Sequence, residues 1–148
     1  MITSDAPEVH EAKVTRLLWG LLLCAAVAVL VIARVLHPDP SHLGTHVQLG
    51  LPPCAFLTWT GLPCPTCGLT TAFAHMARLE ITMAARAHWL GPLLFTVTIA
   101  ALPLCAFACV RALPFAIVIK RLRLAPLAAI IAAAATVGWF ARLLAFGA

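Results

Sequence analysis

The stretch LLWGLLLCAAVAVLVIARVL, residues 17–36, decides the class of this protein. Its only charge is Arg34, near its end. An α-helix rises about 1.5 Å per residue, so these residues span roughly the 30 Å of a bilayer's hydrocarbon core. Lys13 and Arg16 precede the run, and His37-Pro38-Asp39-Pro40 closes it. It exceeds the roughly 7–15 apolar residues of a signal peptide, and Arg34-Val35-Leu36 is not a small-residue cleavage site. The expectation is an uncleaved anchor.

Two further stretches have the same character. Residues 89–113 carry Pro92 and Pro103, and residues 124–146 are rich in Ala. The whole chain of 148 residues is 63% hydrophobic and 10% charged, with mean hydropathy +1.02. Soluble domains carry about a quarter charged residues, so this chain cannot cover itself with polar surface and water is not its solvent. The expected fold class is all-α, an integral membrane protein of three transmembrane helices. A Cys-rich re-entrant or interfacial helical hairpin joins the first and second. The expected division is a tail over 1–16, spans over 17–36, 89–113 and 124–146, the hairpin over 37–88 and a basic loop over 114–123.

The net charge of +5 is scattered at the ends of apolar runs without interleaved aromatics. That pattern fits membrane flanks and excludes a nucleic-acid surface. The partners expected are the lipid bilayer and other membrane proteins. No acidic residue falls within a span, which argues against transport. Lys13, Arg16, Arg111, Lys120, Arg121 and Arg123 flank the same side of the three spans. By the positive-inside rule, the N-terminus and the 111–123 loop then face the cytoplasm, with the hairpin outside an inner membrane. Arg34 and Arg142 snorkel at span ends. Trp19, His88 and Trp89 suit headgroup depth, and Trp59 is placed to anchor the hairpin.

The chemistry concentrates in the hairpin. It holds His37, His42, His46, His75 and His88, together with Cys54, Cys64 and Cys67. Cys24, Cys105 and Cys109 sit inside spans and read as small core hydrophobes. Cys64 and Cys67 belong to GLPCPTCGLTTA, residues 61–72. Pro65 suits a first helical turn, so a helix is expected from Thr66 onward, with a break near Leu79-Glu80. In that helix Leu69, Phe73, Met76 and Met83 form an apolar sector opposite Thr71, His75, Arg78, Thr82 and Arg86.

Three readings of the cysteines stand side by side. In the first, Cys-Pro-x-Cys-Gly is a zinc knuckle whose turn aims two thiolates at one metal, with Cys54 third. If Thr66 to Arg78 is one continuous helix, His75 cannot be fourth, because eight residues of helix put it about 12 Å from Cys67. His42 or His46 fits better. In the second, Cys64 is an exposed nucleophile and Cys67 its resolving thiol in a membrane thiol–disulfide oxidoreductase, although no thioredoxin-like context surrounds them. In the third, the turn only folds the hairpin, with or without a static disulfide.

The same residues resemble a family of small bacterial membrane proteins catalogued as domain of unknown function 2752. The likeness runs over roughly residues 51 to 95: Cys54, then Thr60-Gly61-Leu62-Pro63-Cys64-Pro65-Thr66-Cys67-Gly68-Leu69-Thr70, then Arg86-Ala87. Thr71, Leu79-Glu80 and His88-Trp89 stand where that family has Arg, Gly-Asp and Asn-Pro. The resemblance implies a topology and no activity. The expected function is a membrane subunit, scaffold or accessory factor, more a non-enzyme than an enzyme.

Overall fold

The computed structural model describes residues 5–41 and 43–146, with side chains described from His10 to Leu144 except His42. It is helical, with no strand among the described residues. The helices are α1 (Asp5–Val35), α2 (Ala55–Thr60), α3 (Leu69–Met76), α4 (Ile81–Ala87), α5 (Gly91–Arg111), α6 (Phe115–Arg121) and α7 (Leu124–Phe146). A 3-10 turn covers Thr45–Leu49. Three of these helices, α1, α5 and α7, are long and apolar enough to cross a membrane.

α1 and α5 pack together around Trp19, Cys105, Ala108 and Val118, with Leu23, Leu104 and Phe115 against them. Trp19 corrects the headgroup assignment. It is buried, stacked on Phe115 at 4.0 Å, and donates its indole N–H to the Leu113 carbonyl at 2.8 Å. That carbonyl lies past the end of α5, where the chain turns through Ala112 at φ +49° and loses its helical donors. Cys105 is core, as its apolar setting suggested. Residues 114–123 are not simply a loop, since α6 lies within them. Outward-facing Leu17, Val31, Val110, Val137 and Leu144 would be costly in water, but lipid is as apolar as they are.

The hairpin folds on the α1–α5 pair. α3 and α4 pack on each other through Ala72, Ala84 and Ala87, and the break between them contains Leu79 at φ +63°. Gly91 opens α5 against Ala72, where an added Cβ would meet the Ala72 methyl at 2.4 Å. Arg78 reaches back to donate to the Arg34 carbonyl at 3.2 Å, satisfying an acceptor at the end of α1, and donates to the Ala74 carbonyl of α3 at 2.8 Å. Residues 37–50 are pinned in turn. Gln48 pairs with both backbone groups of His37, at 2.7 and 3.1 Å, and Thr45 accepts from the Asp39 amide at 3.0 Å. Thr45 and Thr71 are sealed at 0% and 1% exposure, with their hydroxyls 2.7 Å apart, joining this loop to α3.

Candidate functional site

Cys54 is the residue immediately before α2, and Cys64 and Cys67 lie on the turn between α2 and α3. Pro65 does not start a helix. The chain turns from Cys64 to Cys67, with Cys67 N donating to Cys64 O at 3.1 Å, and passes through Gly68 at φ +89° before α3 begins at Leu69. A left-handed residue there re-aims the backbone, a conformation glycine adopts without the Cβ penalty. The thiols therefore sit on a turn ahead of the helix, not on its first turn. Gly61, at φ +71°, ends α2 in the same manner.

These turns bring the three sulfurs together, all within 4.8 Å of one another. Cys64 Sγ and Cys67 Sγ are 2.8 Å apart, and all six cysteines are free thiols. That spacing is longer than a disulfide bond of about 2.05 Å and shorter than the roughly 3.5–4 Å between two thiolates sharing a zinc at about 2.3 Å. The centre is a thiol cluster held in close contact. Its two turn thiols are unequal. Burial pushes Cys64 up, but hydrogen bonds from Cys67, from the Thr66 hydroxyl and backbone, and from Cys54 outweigh it, so Cys64 titrates below an ordinary thiol. Burial, with the Cys64 contact adding to it, pushes Cys67 up to about 12.

The cluster opens onto a cavity of about 440 Å³, lined also by His46, Pro52, Thr66, Thr70 and Thr71. His46 shares the cavity without joining the group of mutually close donors, and His42 lies outside the described residues. His75 does not join the group either. α3 starts later than expected, yet His75 pairs through Nδ1 with the Glu80 carboxylate at 2.6 Å. On α3 it is Thr71, Ala72, Ala74 and His75 that are buried, while Leu69 and Phe73 face a groove beside Val29 and Ile32 of α1. The polar residues of α3, Thr71 and His75, turn inward.

The sequence reading missed the frame around the turn. Three alternate carbonyls, those of Pro63, Pro65 and Cys67, each receive a side-chain donor. Trp139 Nε1 donates to Pro63 O at 2.9 Å, His88 Nε2 to Pro65 O at 3.1 Å, and Arg142 Nη1 to Cys67 O at 3.2 Å. The second guanidinium nitrogen of Arg142 reaches Ala87 O at 3.3 Å, so the group bridges the turn to the end of α4. Arg142 is a bound cation and not a snorkelling one. Trp59, the expected anchor, is 85% exposed, and Trp139 packs edge-on to Phe56 of α2 in its place. Gly138 lets α7 approach, since an added Cβ there would fall 2.5 Å from the Trp89 indole nitrogen. One signal was available: a cation inside an apolar span is a partner-seeking group by default.

His88 is buried beside the turn. Its bond to Pro65 O requires the proton on Nε2, leaving Nδ1 as a bare lone pair with no partner among the described residues. Burial lowers its basicity, the Pro65 bond opposes that, and the charge of Arg142 lowers it further. The net direction is downward, and the ring is neutral near pH 7.

Residues 54–108 match the family model described as protein of unknown function, DUF2752. No curated protein and no solved structure matches. The matched stretch runs from Cys54 through the turn and α5 to Ala108, a little over a third of the chain. It contains all three cysteines of the cluster.

Proposed function

We propose that this protein holds a metal ion on Cys54, Cys64 and Cys67 at one face of the membrane, and serves there as an accessory subunit or scaffold and not as an enzyme. The observation that carries this reading is the convergence of three sulfurs, from two separate turns, to within 4.8 Å. The Cys-Pro-x-Cys-Gly turn supports it further. Its carbonyls are held by donors outside the turn, so the Cys-x-x-Cys loop keeps its shape around the sulfurs. Thiolate donors suit zinc or copper(I).

In the same reading, the hairpin lies at the outer interface or re-enters the bundle there, the N-terminus faces the cytoplasm, and the membrane is the cytoplasmic one. The distribution of Lys and Arg supports that orientation. The test is metal analysis of purified protein beside a Cys67→Ser variant. Stoichiometric metal is expected in the unmutated chain and its loss in the variant; metal-free unmutated protein would end the proposal.

A second reading makes Cys64 and Cys67 a thiol–disulfide pair. It is favoured by their 2.8 Å contact and their unequal acidities. Trapping by alkylation across reducing and oxidising buffers tests it. Thiols fixed in one state throughout would exclude turnover.

A further inference from the structure

The walls of the cavity in front of the cysteines discriminate among ions. Besides sulfur they present one imidazole, that of His46, and the neutral hydroxyls of Thr66, Thr70 and Thr71, with no Asp or Glu among the lining residues. Magnesium and calcium are held by carboxylate and carbonyl oxygens and find no anionic oxygen here. Soft sulfur donors leave zinc, copper(I) and iron–sulfur clusters. Clusters are held by four cysteines as a rule, and structural zinc by four protein ligands in a tetrahedron. Among the described residues the mutually close donors stop at three.

Among the described residues the surrounding backbone is held in place. Cys54 is fixed at the start of α2, while Cys64 and Cys67 are fixed by a turn whose Pro63, Pro65 and Cys67 carbonyls are held from outside. His46 stands in a 3-10 turn bounded by the sealed Thr45–Thr71 contact and by Gly50 at φ +76°. His46 lines the same cavity but stays outside the group of mutually close donors. A closed-shell soft monovalent ion has no need of a fourth ligand.

From this geometry we infer that the ion is copper(I), bound by Cys54, Cys64 and Cys67 in a three-coordinate thiolate site whose fourth side opens to the cavity. The inference rests on the metal-holding reading above and names its ion. Binding forms three copper–sulfur bonds and releases thiol protons to solvent; copper enters and stays as copper(I), so no electron is transferred. The open side gives the site an access path that a closed structural zinc centre lacks, and it suits an ion that is taken up and given away.

The test uses the full chain, reduced and held in lipid nanodiscs without oxygen. It is titrated with copper(I) against a chromophoric copper(I) chelator, and separately with zinc. One copper(I) per chain is expected, with sulfur as the only protein scatterer in X-ray absorption and with copper displacing zinc but not the reverse. His46→Ala should leave stoichiometry and spectrum unchanged, whereas Cys54→Ser should weaken binding by at least about tenfold. Preferential zinc binding, or a nitrogen scatterer that disappears in His42→Ala or His46→Ala, would overturn the three-sulfur copper assignment and leave the metal-holding reading standing. Binding of neither ion would overturn both. Because Cys54→Ser can perturb folding, the His46→Ala spectrum decides the coordination independently of it.

Discussion

Replacing Arg142 with Met removes the guanidinium and keeps an apolar stem of similar reach. Two carbonyls, Cys67 O at 3.2 Å and Ala87 O at 3.3 Å, then lose a charged donor. Hydrogen bonds to charged groups contribute about 1.5–3 kcal/mol each, and at these longer distances the lower figure applies, giving about 3 kcal/mol for the pair. At about 1.4 kcal/mol per tenfold, the turn should open roughly 100-fold more often. The readout is the rate at which Cys67, buried in the native turn, is alkylated under native conditions with opening fast relative to labelling. Cys105, in the α1–α5 core, is the internal control. Faster labelling of Cys67 with Cys105 unchanged is expected, and Arg142→Lys should fall between, since an ammonium cannot bridge two carbonyls with a planar fork. If Cys67 labels within a factor of two of the unmutated rate in folded protein, Arg142 does not hold the turn. If Cys105 accelerates equally, the effect is global unfolding and the argument is equally refuted.

Three further outcomes follow from the same contacts. Thr71→Val keeps the volume but removes the hydroxyl–hydroxyl bond from a sealed site, leaving Thr45 its bond from the Asp39 amide, and should lower stability by about 1 kcal/mol in a denaturation midpoint; an unchanged midpoint would show the pair contributes nothing. Gly68→Ala must place a Cβ at φ +89°, costing about 1–2 kcal/mol and displacing Cys67, so metal capacity should fall along with thermal stability; full capacity would show that the left-handed turn is dispensable. His88 has a folded-state pKa below its unfolded value, so the unfolded chain takes up the proton first. Its contribution to stability is complete above about pH 6.5 and is lost as pH falls from there toward the folded value. The melting temperature should therefore drop between pH 7.5 and 5.5, and drop less in His88→Gln, whose amide can still donate to Pro65 O; parallel pH profiles for the two proteins would remove His88 as the cause.

The three spans were legible because lipid imposes a length and a composition that few other sequences meet. The meeting of Cys54 with Cys64 and Cys67 was legible as an expectation, since a Pro- and Gly-punctuated turn holds thiols close, and the structure brings all three together. The start of α3 was misplaced because Gly68 can end a turn in a left-handed conformation as readily as continue a helix, and pattern alone weighs only the second. Which sector of α3 faces inward was misleading for a different reason. Hydrophobic periodicity separates two faces without saying which one meets solvent, and here Thr71 and His75 are the buried ones. Trp19, Trp139, His88 and Arg142 act across separations of 94, 76, 23 and 75 residues, distances at which local pattern carries no information.

The three carbonyl bonds around the turn also divide the molecule in a way the family match does not. The matched stretch, residues 54–108, contains every sulfur of the cluster but only one of the three donors that hold its backbone, His88. Trp139 and Arg142 come from α7, beyond that stretch. The reactive atoms and the brace that sets their spacing thus belong to different parts of the chain. Transplanting residues 54–108 alone would carry the thiols without their geometry. Changes at Trp139 or Arg142, in the C-terminal half of α7, would therefore loosen the turn while leaving every cysteine in place.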